Sequence, residues 1–296
     1  MKALPEEIGK MERKRGILLL VGASVLWSTA GIFTKSITWN GFAIITIRGL
    51  IAAAVMLPFI GKPRFPANIH ERLAVLSYAG LVICCIVSTK LTTAANAILL
   101  QYTAPIYSAL LGWKLLGEEL RLRDLIAIGC LMAGMVCFLY DGLGSGSMLG
   151  NLIALLSGVC YAAMAVFMKM GDQNQPMQNV FWGNLAASVI AAPFMGTIEH
   201  TRANWILILF MAVFQLALAY ILYAKAVGSL SALEITVVTV LEPILNPLWV
   251  LLLQGERPGP MALVGGVIVL GTVLVHEGGK FDADRKKETI CPERSK

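Results

Sequence analysis

The sequence predicts an all-α integral membrane protein with ten transmembrane helices in two inverted five-helix repeats, N- and C-termini cytoplasmic. Three observations predict it. The first is composition: of 296 residues, 57% are hydrophobic and 14% charged, and mean hydropathy is +0.74. A soluble domain carries about 25% charged residues, so this deficit with long apolar runs marks a polytopic helical membrane protein. The second is an internal repeat. Gln101-Tyr102-Thr103-Ala104-Pro105, followed by Gly117-Glu118, recurs as Thr239-Val240-Leu241-Glu242-Pro243, followed by Gly255-Glu256, 138 positions later. The third is the placement of basic residues between apolar runs. That pattern also argues against a nucleic-acid partner, which calls for a basic stripe.

In chain order, residues 1–15 are a basic head, expected to be cytoplasmic. Gly16 to Phe33 is longer than the 7–15 residues or so of a signal-peptide core, so it is expected to be the first span. Spans are expected at 16–36, 41–60, 71–90, 94–116, 121–140, 149–169, 179–196, 205–226, 231–253 and 260–277. Most approach the roughly 20 residues that a crossing helix needs. Breaks carry turn chemistry, as in Trp39-Asn40-Gly41, Gly61-Lys62-Pro63 and Pro258-Gly259-Pro260. Residues 278–296 form a charged tail, expected to be disordered. With the N-terminus inside, outer ends hold only Lys35, Lys90, Arg202 and Arg257 of the 24 basic residues, and Arg48 and Lys114 lie within spans. The remainder fall inside, which places both termini in the cytoplasm.

The repeat extends beyond one helix. Gly16/Gly150, Trp27/Tyr161, Phe33/Phe167 and Lys35/Lys169 share an offset of 134, and Gly129/Gly266 and Gly134/Gly271 share 137. The units are 16–141 and 149–277, and a five-span unit inverts its successor in the membrane. Inverted repeats are a transporter signature, with the site expected near the midplane between halves.

These residues resemble the drug/metabolite transporter superfamily, in particular its EamA-type ten-helix members. The match rests on Trp27-Ser28-Thr29 with Phe33 and Lys35, on Arg48, on Thr92-Thr93-Ala94-Ala95-Asn96 through Pro105 to Gly117-Glu118, and on the second copy, Ser231-Ala232 through Glu242-Pro243 to Gly255-Glu256. It covers about 16–277, and departs from the usual pattern at Tyr161, where a tryptophan is common. The resemblance implies a multi-pass carrier of the bacterial inner (plasma) membrane. Such a carrier moves small organic metabolites without ATP hydrolysis or a cofactor, and works by alternating access.

Candidate site residues follow from polarity at membrane depth. Glu242 breaks the repeat symmetry, standing where the first copy has Ala104. A charge at that depth costs about 2.5–3.5 kcal/mol on insertion scales, so it is a functional candidate for binding a substrate amine or a coupling proton. On a continuous helix Thr239, Asn246 and Trp249 would share its face. Gln101, Gln215 and Asn184 are deep amides, suited to substrate contact or to joining helices. Trp27, Tyr102, Tyr107, Tyr161 and Trp182 offer aromatic faces for cations or planar solutes. Pro105 and Pro243 are expected to break their helices. Arg48 reads as a structural residue, with a substrate carboxylate as the alternative. Glu118, Glu119 and Glu256 read as membrane-edge partners of Arg121, Arg123 and Arg257.

The cysteines lack Cys-x-x-Cys spacing and the histidines (His70, His200, His276) fall near span ends, so no metal site is expected. Without His-Glu-x-x-His, Gly-x-Ser-x-Gly or a phosphate-cradling loop, an enzyme is disfavoured. A lipid-carrier or lipid-flipping protein is the closer rival. Expected partners are a small-molecule substrate and membrane lipids. Spans 5 and 10, rich in glycine, would form the dimer contact that the resemblance implies, with a monomer as the alternative. An amino acid, an amine or a nitrogenous cation suits one carboxylate among aromatic rings.

Overall fold

The computed structural model describes residues 6–29, 33, 36–92, 94–140, 147–171, 176–245 and 260–290. The described residues are helical, with no strand among them. Helix α1 is Glu6–Ser28, α2 Gly41–Ile60, α3 Ile69–Leu91, α4 Ala94–Gln101, α5 Ala104–Leu111 and α6 Leu122–Leu139. In the second half, α7 is Met148–Met170, α8 Pro176–Ala191, α9 Arg202–Phe210, α10 Ala219–Ala226, α11 Ala232–Thr239 and α12 Pro260–Ile290. Wider π turns, Gly112–Leu116 and Met211–Leu218, extend α5 and join α9 to α10. Asn40, Asn68, Ser147, Thr201 and Ser231 start their helices by accepting a backbone N–H three residues on.

Four helical stretches among the described residues are long and apolar enough to cross a membrane: Gly41–Ile60, Ile69–Thr89, Met148–Met170 and Arg202–Ser229. Expected spans 4 and 9 are not continuous helices. The first breaks at Tyr102 and Thr103, just before Pro105, and the second at Val240, just before Pro243. Proline lacks the N–H that would bond the carbonyl four residues back, and its ring crowds that carbonyl. Each half is thus interrupted at the same repeat position.

Packing exchanges the halves. Helix α1 lies against α10, and α3 against α7; α2 faces α8, α5 faces α11, and α6 faces α12. A two-fold swap of the repeats maps this set of pairs onto itself. The interior is built from small residues such as Ala23, Ala52, Ala74, Ala154, Ala162 and Ala165, whereas Leu18, Leu50, Phe59, Leu76, Leu152 and Val189 stand exposed. Lipid supplies no hydrophobic force between helices, so close approach at small residues and interhelical hydrogen bonds must hold them. On α7, a methyl at Gly158 would stand 2.7 Å from the Gln101 carbonyl oxygen, and one at Gly150 2.9 Å from Leu91. On α6, Gly134 meets Val269 of α12 in the same way.

The connections gather at two ends of the bundle. At one, Arg13 of α1 pairs with Glu234 (2.8 Å), Lys169 pairs with Glu118 (3.0 Å), and His276 contacts Asp124 (2.8 Å). There Gln178 also donates to the carbonyls of Ile60 and Lys62. At the other end, the Trp39 indole donates to the Glu199 carbonyl (2.8 Å), Asn40 to that of Phe194, and Thr92 to Asn151. Glu118 thus corrects its expected arginine pairing. Its carboxylate takes Lys169 and the Ala232 N–H at the start of α11, because the left-handed Gly117 (φ 67) turns the chain toward the second half. Glu119 does meet Arg121 (3.0 Å), at the surface. Lys35, Gly255, Glu256 and Arg257 lie outside the described residues.

Candidate functional site

The two helix breaks meet beside α7. Tyr102 occupies the first, and its hydroxyl donates to Glu242 Oε2 at 2.6 Å, one residue before Pro243. A short bond to a carboxylate is of the strong class, contributing about 1.5–3 kcal/mol. Among the described residues no cation pairs with Glu242, and its side chain stays partly accessible. Helix α7 packs against α4, α5 and α11, the helices that flank the breaks. The Ser157 hydroxyl lies 3.3 Å from Gln101 Oε1, and the Tyr161 hydroxyl donates to Thr239 Oγ1 at 2.7 Å. The missing side chain at Gly158 lets α7 reach the Gln101 carbonyl that Pro105 leaves unbonded. Because α11 ends before Glu242, Thr239 is not a helical neighbour on the Glu242 face. It is the anchor of Tyr161 instead.

Beside this junction lies an aromatic box. Trp27 of α1 packs on Tyr220 (ring centroids 4.8 Å apart) and Tyr223 (5.8 Å), and Tyr78 of α3 stands edge-on to Tyr220 (4.7 Å). All four are buried, and share one core cluster with Tyr161. The Tyr78 hydroxyl donates to Asn184 Oδ1 (3.0 Å), and the Asn184 amide returns to the Val180 carbonyl. Gly183 makes room for the Tyr78 ring, since a methyl there would stand 2.5 Å from Cδ1. Near Tyr78 and Tyr220 of the box, Arg48 Nη1 donates to Gln215 Oε1 at 3.0 Å.

Of the residues singled out in the sequence, Glu242, Tyr102, Gln101, Trp27, Asn184 and Gln215 all reach the bundle interior. Trp182 is elsewhere: its indole donates to the Arg64 carbonyl (2.8 Å) and its ring meets Phe65 and Phe181, at the connection after α2. Tyr107 is half-buried on α5. Asn246 and Trp249 lie outside the described residues. The reading missed Tyr78, Tyr220, Tyr223 and Ser157. For Tyr220 and Tyr223 a signal existed, since a spacing of three puts both rings on one helix face.

A paired set of broken helices around one carboxylate is the construction expected of a carrier, and the comparisons with known proteins agree. The model of the EamA-like transporter family matches residues 14–140 and again 148–276. The chain belongs to this family. An "Uncharacterized transporter" of Clostridium kluyveri is 24% identical over 306 residues, 93% of this chain and 97% of that protein. A "Probable amino-acid metabolite efflux pump" of Escherichia coli is 22% identical, over 91% of this chain and 96% of the pump. A crystal structure shares the fold at a TM-score of 0.75 and 18% identity, covering 89% of this chain and 96% of its own. Family and fold make the protein a multi-pass membrane transporter. Among the described residues no cluster of His, Cys, Asp or Glu could hold a metal ion.

Proposed function

We propose that the chain is a secondary transporter of a small nitrogen-bearing metabolite, an amino acid, amine or organic cation, working by alternating access across a bacterial plasma membrane. The observation that carries this is Glu242, bonded to Tyr102 at the meeting of the two helix breaks, with no cation partner among the described residues. An ammonium group or a transferable proton completes such a carboxylate. The aromatic faces of Trp27 and Tyr220 suit the rest of a cationic or planar solute. The relative named an amino-acid metabolite efflux pump agrees in substrate class.

In this reading ten spans cross the membrane, the second five inverted against the first. The end that holds Arg13, Lys62, Arg64, Arg121 and Lys169 faces the cytoplasm by its basic charge. Rocking of the halves about the helix breaks exposes Glu242 to either side in turn. The test is a thermal-shift screen of purified protein against a metabolite library, followed by uptake in proteoliposomes. Stabilisation and counterflow by a nitrogenous solute are expected. A response to lipid carriers with none to soluble solutes would replace this reading with a lipid-flipping one.

A further inference from the structure

A buried cation, Arg48, lies outside the Glu242–Tyr102 junction. Arg48 is only 6% exposed, and is the one lysine or arginine among the buried described residues. Among the described residues its one hydrogen-bond acceptor is a neutral amide, Gln215 Oε1, and its Nε has no partner. A guanidinium cannot shed its proton to escape burial, as a lysine can. The groups around it share a bias. Among the described residues Trp27 Nε1 and the Tyr223 hydroxyl are also buried without a partner, and both belong to the box around Tyr220. Three groups able to donate, from three helices, thus stand near one ring, a set suited to an anionic group. Gln215 sits within the eight-residue π segment Met211–Leu218. Such wide turns are rare and recur at functional sites, because they re-aim a side chain against its helix register.

The charges also match. Cys85 and Tyr220 each lie within electrostatic reach of both Arg48 and Glu242, yet among the described residues Arg48 bonds Gln215 and Glu242 bonds Tyr102, with no ion pair between them. One cation and one carboxylate near the same aromatic ring, neither paired with an opposite charge among the described residues, complement a zwitterion. A dianionic phosphate would leave a charge unbalanced, whereas a carboxylate matches the planar two-donor edge of a single guanidinium. Resting on the transporter reading above, we infer that Arg48, with Gln215 as its placeholder acceptor, is the carboxylate subsite, so that the substrate is an α-amino acid held between Arg48 and Glu242.

The test uses purified full-length protein in vesicles of pure phosphatidylcholine, which keep anionic headgroups out of the assay. Two matched sets of probes serve: L-phenylalanine, phenethylamine and 3-phenylpropionate, and L-leucine, isoamylamine and 4-methylpentanoate. Each amino acid is expected to bind and exchange at least about tenfold better than its amine or acid, the loss typical of leaving a site's charged group unpaired. Arg48→Gln should erase the preference over the amine, and Glu242→Gln the preference over the acid. Gln215→Glu guards against misfolding of the first variant, since it gives the guanidinium an internal counterion. It should preserve or raise the melting temperature while abolishing amino-acid binding. Full binding by Gln215→Glu makes Arg48 structural and overturns the inference. Amines that bind as well as amino acids overturn it too, while leaving the Glu242 reading intact. So does an Arg48 effect that needs added phosphatidylglycerol, which would make the anion a lipid. If none of the six solutes binds, the inference fails, and the library screen decides the transporter reading separately.

Discussion

Tyr102 and Glu242 come from opposite halves of the chain, 140 positions apart, and meet at 2.6 Å. Their bond ties the two repeats at the point where both helices are broken. Removing the hydroxyl strips the carboxylate of its one described donor. Tyr102→Phe is therefore expected to weaken substrate exchange, and a double-mutant cycle with Glu242→Gln should give a coupling of about 1.5–3 kcal/mol. Additive effects in counterflow assays would mean that the two side chains act separately. Glu242 was legible from sequence, because a carboxylate in an apolar run has few bland explanations. Tyr102 was named there for its ring alone. Its partner is set by which end of each half-helix faces the other, and no local pattern encodes that. Tyr78 was illegible for a plainer reason: in an apolar run a lone tyrosine looks like packing until its neighbours are known, whereas the spacing of Tyr220 and Tyr223 already put two rings on one face.

At the scale of elements, α7 is the piece on which both breaks rest. Gly158 admits the Gln101 carbonyl, and the atoms a methyl would strike are backbone, which cannot rotate away. Gly158→Ala should cost about 1–3 kcal/mol through overpacking, read as a lower melting temperature in detergent. Gly129→Ala on α6 meets open space within 4 Å and should be neutral or stabilising by up to about 1 kcal/mol. Equal losses at both sites would remove the case for a special contact at Gly158. Proline and the repeat made the interruptions of spans 4 and 9 foreseeable. The π segment at Gln215 was not, since one widened turn leaves no mark in composition. The partner of Glu118 was misjudged for a related reason. Arginine stood near in sequence, but the turn at Gly117 delivers the carboxylate to Lys169 and the start of α11.

At the scale of the whole molecule, the exchange of halves fits the alternating access proposed above, in which one end opens while the other stays joined. Lys169, Glu118 and the α11 N-terminus bind the two repeats at the end read as cytoplasmic. A partly exposed pair with its helix cap contributes about 1 kcal/mol, enough to shift a two-state balance about fivefold. Lys169→Gln should accordingly raise labelling of a cysteine placed at Ser157 by impermeant thiol reagents from that end. Unchanged labelling would remove Glu118 and Lys169 from the conformational cycle. Above all, Glu242 at the paired helix breaks is proposed as the place where the transported solute or its coupling proton binds. Counterflow of the solute found by screening, measured in proteoliposomes across a pH series for wild type and Glu242→Gln, tests it most directly. The variant is expected to fold, to lose most of its exchange, and no longer to respond to pH. Wild-type exchange with an unchanged pH dependence would contradict it.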